Sequence, residues 1–377
     1  MVRIGFFAGV EYMGKIYFSA SSHNGFYETD IYTKKTKFLA VFQKEKMSYV
    51  LHRMAFLYEH YVWYIPQYGK YIVKIDLETL EQTYFDVPNS EQTKGVLFIA
   101  GKKIDEKTIC LLPRDNSNVL IIDMQSENIR VLQDVINDKE EKVIDGLVLD
   151  RNLYLFFLEK KYYARIVLDT GKRDDIFMSN MIQSVVQIEN IVEILTQGSE
   201  KIISYSLEEK KVIDEFLLDG KNLYNGLVCV KDNIIALPFQ ASGFLVIDRM
   251  NSRIHEQIPI GVKLPSYANK SMLVDSKTEK IFTIGDVGGV VRYEEGRLQG
   301  FYVEIDVETF FDDLSKYLNS SSEWKCFADT ICILGVDRLF GCEGMLQFMK
   351  YVECSYFDGC EMSGNAIWNR LKGGIEK

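Results

Sequence analysis

Residues 94–133 read KGVLFIAGKKIDEKTICLLPRDNSNVLIIDMQSENIRVLQ. This stretch is an apolar strand, a short turn, a second apolar strand ending in Pro, a polar loop, a third strand closing on Asp, and a fourth strand. Residues 224–257, YNGLVCVKDNIIALPFQASGFLVIDRMNSRIHEQ, repeat the order. Short runs of Ile, Val, Leu, Tyr and Phe bounded by Gly, Asn, Asp and Lys are the signature of strands joined by tight turns. Self-similarity at about forty residues means a repeat architecture, in which one unit cannot bury its own apolar faces and must stack on its neighbours.

The third strand sets the register. Asp30, Asp76, Asp123, Asp169 and Asp248 each close an apolar run, with Ser206 and Glu294 in the same place in two further units. Thr33 and Thr79 follow two of these aspartates by three residues. A carboxylate here can accept backbone N–H groups of the next turn, so hairpin formation explains these residues better than acid catalysis does. Pro66, Pro113 and Pro238 end the second strand. Proline has no N–H to give a ladder and belongs where a strand leaves the sheet. Aspartates and prolines thus support one alignment independently.

The alignment gives seven units, starting near Phe6, Arg53, Gly95, Asp145, Ser184, Asn225 and Ser271. Many strands, such as NLYLFFL and VLIIDM, are apolar on both faces, as sheets stacked between neighbours require. Four strands in roughly 40 to 45 residues is the spacing of propeller blades. Over about residues 4–305 the chain resembles the β-propeller superfamily, and it is most similar to divergent bacterial propellers whose third strand ends I-D-x-x-T. The Gly-His and Trp-Asp marks of WD repeats and the double glycine of kelch blades are absent. The resemblance implies an all-β, seven-bladed β-propeller around a central channel, and it leaves function open, because one fold hosts many tasks.

After Asp306 the period changes from two to 3.6. Val307, Phe310, Phe311, Leu314, Tyr317 and Leu318 fall on one helical face, with Asp306 or Thr309 as cap. Residues 324–340 and 344–353 and the segment AIWNRLK are further helix candidates. Residues 306–377 therefore read as a helical extension that docks on the propeller or on a partner.

Composition narrows the task. A formal net charge of −10 disfavours a nucleic-acid backbone, which is held through Lys and Arg. It gives no help on an anionic membrane, and no apolar run is long enough to span one. Seven cysteines and an N-terminus without a signal-peptide layout lead us to expect reduced thiols in the cytoplasm. Five of the seven, Cys326, Cys332, Cys342, Cys354 and Cys360, lie in the tail without a C-x2-C pair or a nearby His. Small buried hydrophobes account for them better than zinc, so no metal and no cofactor is expected.

No phosphate loop, nucleophile elbow or metalloprotease motif occurs. The glycines of IGDVGGVV, Gly285, Gly288 and Gly289, lie between strands and read as a hairpin turn. Candidate binding residues come from one rim, where inner strands start and the loops between second and third strands emerge. They are His52, Arg53, Lys94, Asp145, Gln183, Asn225 and Lys270 at strand starts, with His23 and Arg114 in loops. His52 with Asp145 is a conceivable acid–base pair. The mix is polar and amide-rich, and lacks a carboxylate cage. Two readings follow: a non-catalytic module that offers its rim to a protein or glycan, or a lyase, hydrolase or cyclase acting on a carbohydrate or peptide-like substrate at the channel mouth.

Overall fold

A computed structural model describes residues 1–88, 96–114, 118–133, 135–136, 141–218, 223–230, 233–249, 253–264, 271–275, 280–284, 288–318 and 327. Seven four-stranded antiparallel sheets follow one another in the chain, over residues 6–41, 52–86, 98–132, 143–177, 182–217, 223–257 and 271–302. Each is an up-and-down meander of consecutive strands, so no blade borrows a strand from another. The innermost strands are Phe6–Tyr12, His52–Tyr58, Phe98–Lys103, Val143–Leu149, Ile182–Ile188, Leu223–Val230 and Ser271–Val274.

The turn chemistry is as the sequence dictates. The Asp30 carboxylate accepts from Tyr32 N and Thr33 N at 3.0 and 2.7 Å. Asp76 accepts from Glu78 N and Thr79 N, and Asp123 from Gln125 N and Ser126 N. Asp169 differs: its carboxylate pairs with Arg151. Pro66, Pro113 and Pro238 each stand opposite a residue at the beginning of the inner strand, His52, Phe98 and Tyr224. Gly288, at φ +64°, sits in the predicted hairpin turn; a Cβ there would come 2.8 Å from the Ile4 carbonyl oxygen. This close approach explains the glycine.

Between blades lies the core. In the second strand of blade two, Val62 and Tyr64 pack toward blade one with Ala8, Val10 and Phe26. Trp63 and Ile65 pack toward blade three with Phe98, Ile109 and Leu111. The same division recurs at each interface around the ring. Burying one large apolar side chain contributes about 1.5–3 kcal/mol, so the stacked faces dominate stability. Outermost strands are polar and exposed, as in Arg253–Gln257, which discourages edge-to-edge pairing.

The ring is closed twice. At the rim of blade one, Val2–Arg3 pairs antiparallel with Glu304–Ile305, and Arg3 Nε donates to Glu304 Oε1 at 3.1 Å. On the inner strands, Glu11 N donates to Asp275 O at 2.8 Å, a parallel bridge from blade one to blade seven. The chain then enters helix α1, Val307–Ser315, with Asp306 as N-cap accepting from Glu308 N and Thr309 N. Phe310, Phe311, Leu314, Leu318 and Phe327 join Val2, Ile4, Phe6, Phe18 and Tyr27 in one buried cluster. The described part of the tail thus docks on the propeller, at the blade seven–blade one junction. The other helix candidates and the five tail cysteines lie outside the described residues.

Candidate functional site

Strand direction puts the starts of the inner strands and the loops between second and third strands on one face. On this face the first six inner strands share a defect. Pairing skips one residue just after the strand begins, at Phe7, Arg53, Ile99, Ile144, Gln183 and Asn225. A bulge leaves its extra residue unpaired and re-aims its side chain. Of the six bulge residues, Ile99 and Ile144 pack against the cores between blades, and three others are the expected Arg53, Gln183 and Asn225. All three are half-buried, and Asn225 Oδ1 has no hydrogen-bond partner among the described residues.

Arg53 reaches from blade two to blade three. Its Nε donates to Ile99 O at 2.9 Å and its Nη1 to Gln67 Oε1 at 3.3 Å. Arg114 arrives at the same place from the loop of blade three, its backbone N donating to Leu97 O at 3.0 Å. Burial first, and the Arg114 charge second, hold the Arg53 guanidinium below its ordinary range. The Tyr49 and Tyr68 rings lie beside this pair, 5.0 Å apart. Glu45, the buried carboxylate of the neighbouring loop, is engaged by Lys70 N and Tyr71 N at 2.9 and 2.8 Å.

The two expected histidines are interior groups. His52 Nδ1 lies 2.8 Å from Ser19 Oγ, and its ring packs against Phe42 and Tyr64. His23 is fully buried, with Nδ1 at 2.8 Å from Ser22 Oγ and Nε2 at 2.7 Å from Tyr27 Oη. Phe310 and Phe327 of the tail meet its ring edge to face. Burial pushes both histidines down to about 3, so both are neutral at physiological pH.

Asp145 does not engage His52. Its Oδ1 pairs with Lys102 Nζ at 2.7 Å and accepts from Gly146 N at 2.8 Å. Its Oδ2 accepts from Ser184 Oγ and Val185 N, each at 3.0 Å, and Ser184 Oγ accepts from Leu227 N at 3.1 Å. One carboxylate thereby joins the inner strands of blades three to six. Deeper along the channel, Asp275 does the same for the rest of the ring. It accepts from Leu57 N at 2.8 Å and pairs with Lys103 at 2.7 Å, linking blade seven to blades two and three. Sequence reading passes over Lys102, Lys103 and Asp275. The available signal is charged residues interrupting an apolar innermost strand, in AGKKI and MLVD. Lys94 and Lys270 lie outside the described residues.

A separate cavity of about 210 Å³ opens on the opposite face, between blades three and four, and includes Asp105, Asp123, Arg130 and Arg151. It shares no residue with the mouth. Among the described residues, no group of three or more His, Cys, Asp or Glu side chains could hold a metal ion.

No family model matches the chain, and no curated protein matches it. Solved structures do. A streptogramin B lyase superposes with TM-score 0.57 at 13% identity, covering 80% of this chain and 93% of that one. Virginiamycin B lyase from Staphylococcus aureus superposes with TM-score 0.58 at 10% identity, covering 76% and 95%. PorZ, a surface component of the type-IX secretion system of Porphyromonas gingivalis, superposes with TM-score 0.56 at 10% identity, covering 81% of this chain and 39% of that one. Identities this low speak to fold alone. With the seven consecutive meanders and their seven interfaces, they establish the chain as a divergent seven-bladed β-propeller.

Proposed function

We propose that this propeller is a non-catalytic binding module, acting in the cytoplasm, that presents its strand-start rim to a protein or glycan partner. One observation carries the reading. The ionisable groups expected to do chemistry at the mouth are committed to architecture: Asp145 to Lys102 and Ser184, His52 to Ser19, and His23 to Ser22 and Tyr27. What the mouth leaves available is recognition chemistry, namely Arg53, Arg114, Gln183, Asn225 and Tyr68, on loops and bulges held by a rigid ring. A lyase, hydrolase or cyclase needs a base within hydrogen-bond reach of its substrate, and histidines buried against Ser19, Ser22 and Tyr27 offer no such reach.

The test is a peptide array and a glycan array probed with the full chain, followed by hydrogen exchange on the bound state. The expected result is saturable binding with protection confined to the strand-start rim, residues 43–53, 67–70, 97–114, 182–184 and 223–226. Binding that protects only the opposite face, or conversion of an arrayed compound to product, overturns the reading.

A further inference from the structure

The two arginines at the mouth form an unusual pair. Arg53 and Arg114 are both half-buried and both anchored on residues 97–99, yet among the described residues neither meets a carboxylate. Arg53 spends two of its five N–H donors, on Ile99 O and on Gln67 Oε1, which leaves three unspent. Holding two guanidinium groups together at partial burial costs free energy unless an anion joins them. Glu45, the buried carboxylate of the neighbouring loop, is already used by the amides of Lys70 and Tyr71. Tyr68, 44% exposed and tilted at 45° against the Tyr49 ring, adds a hydroxyl donor and an aromatic edge beside the pair.

We propose that Arg53 and Arg114, with Tyr68, form a receptor for a single carboxylate carried by a peptide segment of a partner protein. Guanidinium groups match the planar two-oxygen geometry of a carboxylate, and their charge-assisted bonds are about twice as strong as neutral ones. The net charge of −10 argues against a polyanion such as an acidic polysaccharide or a nucleic acid, whose further charges the rest of the chain repels. One carboxylate on an otherwise neutral peptide takes the local attraction without that penalty. This inference rests on the rim being the binding face.

The experiment compares two mixed-sequence pentapeptide libraries on the immobilised full chain, one with a fixed central Glu and one with a fixed central Gln. Retention of the Glu library about tenfold over the Gln library, weakening with salt, is expected. Arg114→Gln should abolish the preference. Among the described residues its side chain makes no hydrogen bond, so the fold is retained and circular dichroism should be unchanged. Arg53→Lys, which keeps the charge and loses the fork, should reduce the preference. Equal retention of both libraries, or a preference that survives Arg114→Gln, overturns the receptor. Tighter capture of a glucuronate oligomer than of the Glu library overturns the peptide assignment. Peptide binding insensitive to Arg114→Gln leaves a binding module with its site elsewhere, whereas turnover of a peptide removes the binding-module reading itself.

Discussion

Lys103 in the inner strand of blade three pairs at 2.7 Å with Asp275, at the end of the inner strand of blade seven. The same carboxylate accepts from Leu57 N of blade two, and its own backbone oxygen accepts from Glu11 N of blade one. Asp275 is a clasp inside the channel. Asp145 plays the matching part for blades three to five and reaches blade six through Ser184, so these two aspartates and Ser184 together join all seven innermost strands.

Removing either clasp should loosen the ring. Asp275→Ala and Asp145→Ala are each expected to lower unfolding free energy by about 1.5–3 kcal/mol, the range for hydrogen bonds to a charged group. They share no partner residue, so the double variant should be additive within about 0.5 kcal/mol. Urea denaturation of the four proteins checks this, and a near-zero effect for both single variants removes the clasp.

The buried pair of Arg173 and Glu141 should be costly to break. Arg173 reaches both Glu141 oxygens, at 2.7 and 2.9 Å, and the Val135 carbonyl, with both side chains nearly excluded from solvent. Arg173→Ala removes the countercharge of the buried Glu141 carboxylate, to which the Tyr162 hydroxyl still donates, and about 3–5 kcal/mol should be lost. Replacing both residues by apolar ones of similar size should restore much of it. The denaturation midpoint of single and double variants decides.

The tail is part of the ring's closure. Phe311 is fully buried within the cluster that also holds Val2, Ile4 and Phe6. Phe311→Ala should cost about 3–5 kcal/mol, as for other buried aromatics. An exposed position on the same helix, Glu308→Ala, should cost far less. Similar midpoints for the two variants show that α1 does not hold the ring.

Acid should destabilise the protein through its histidines. His23 and His52 titrate at about 3 when folded, against an ordinary value near 6.5. Between those values the unfolded chain takes up protons that the folded chain does not. Stability therefore falls as pH drops from about 6.5 toward 3, by about 1.4 kcal/mol per pH unit for each histidine. Glu45 and Glu193, raised mainly by burial, act in the opposite sense, so the clean readout is a difference. His23→Gln should reduce the acid slope between pH 6.5 and 5 by about one proton. An unchanged slope contradicts its burial as a neutral ring.

The blade register was readable because turns and strand ends demand particular chemistry. Asp30, Asp76 and Asp123 bond the turns that their spacing implies, and Pro66 and Pro113 mark ladder ends. Inner-strand starts deviate by up to three residues, as at Gly95 against Phe98, because the apolar Val96 and Leu97 precede the first paired residue without a composition break. The site was only partly readable. Arg53, Gln183 and Asn225 stand at bulges, which strand starts hint at, but a bulge has no residue signature of its own here. His23 reads as a loop histidine because its cover, Phe310 and Phe327, comes from residues nearly 300 positions away. Asp145 reads as a rim acid, yet its partners Lys102, Ser184 and Val185 come from two other blades. Contacts between blades are set by stacking, which one blade's sequence does not display.

Mass spectrometry of captured peptide tests in one step whether the strand-start rim binds without chemistry. The full chain is incubated with the Glu-centred pentapeptide library, washed, and the eluted and unbound fractions are weighed. Enrichment of Glu peptides on the wild type, loss of that enrichment in Arg114→Gln, and intact masses throughout are expected. Product masses that accumulate with time and enzyme concentration, or enrichment indifferent to Arg114, contradict binding without chemistry at this rim.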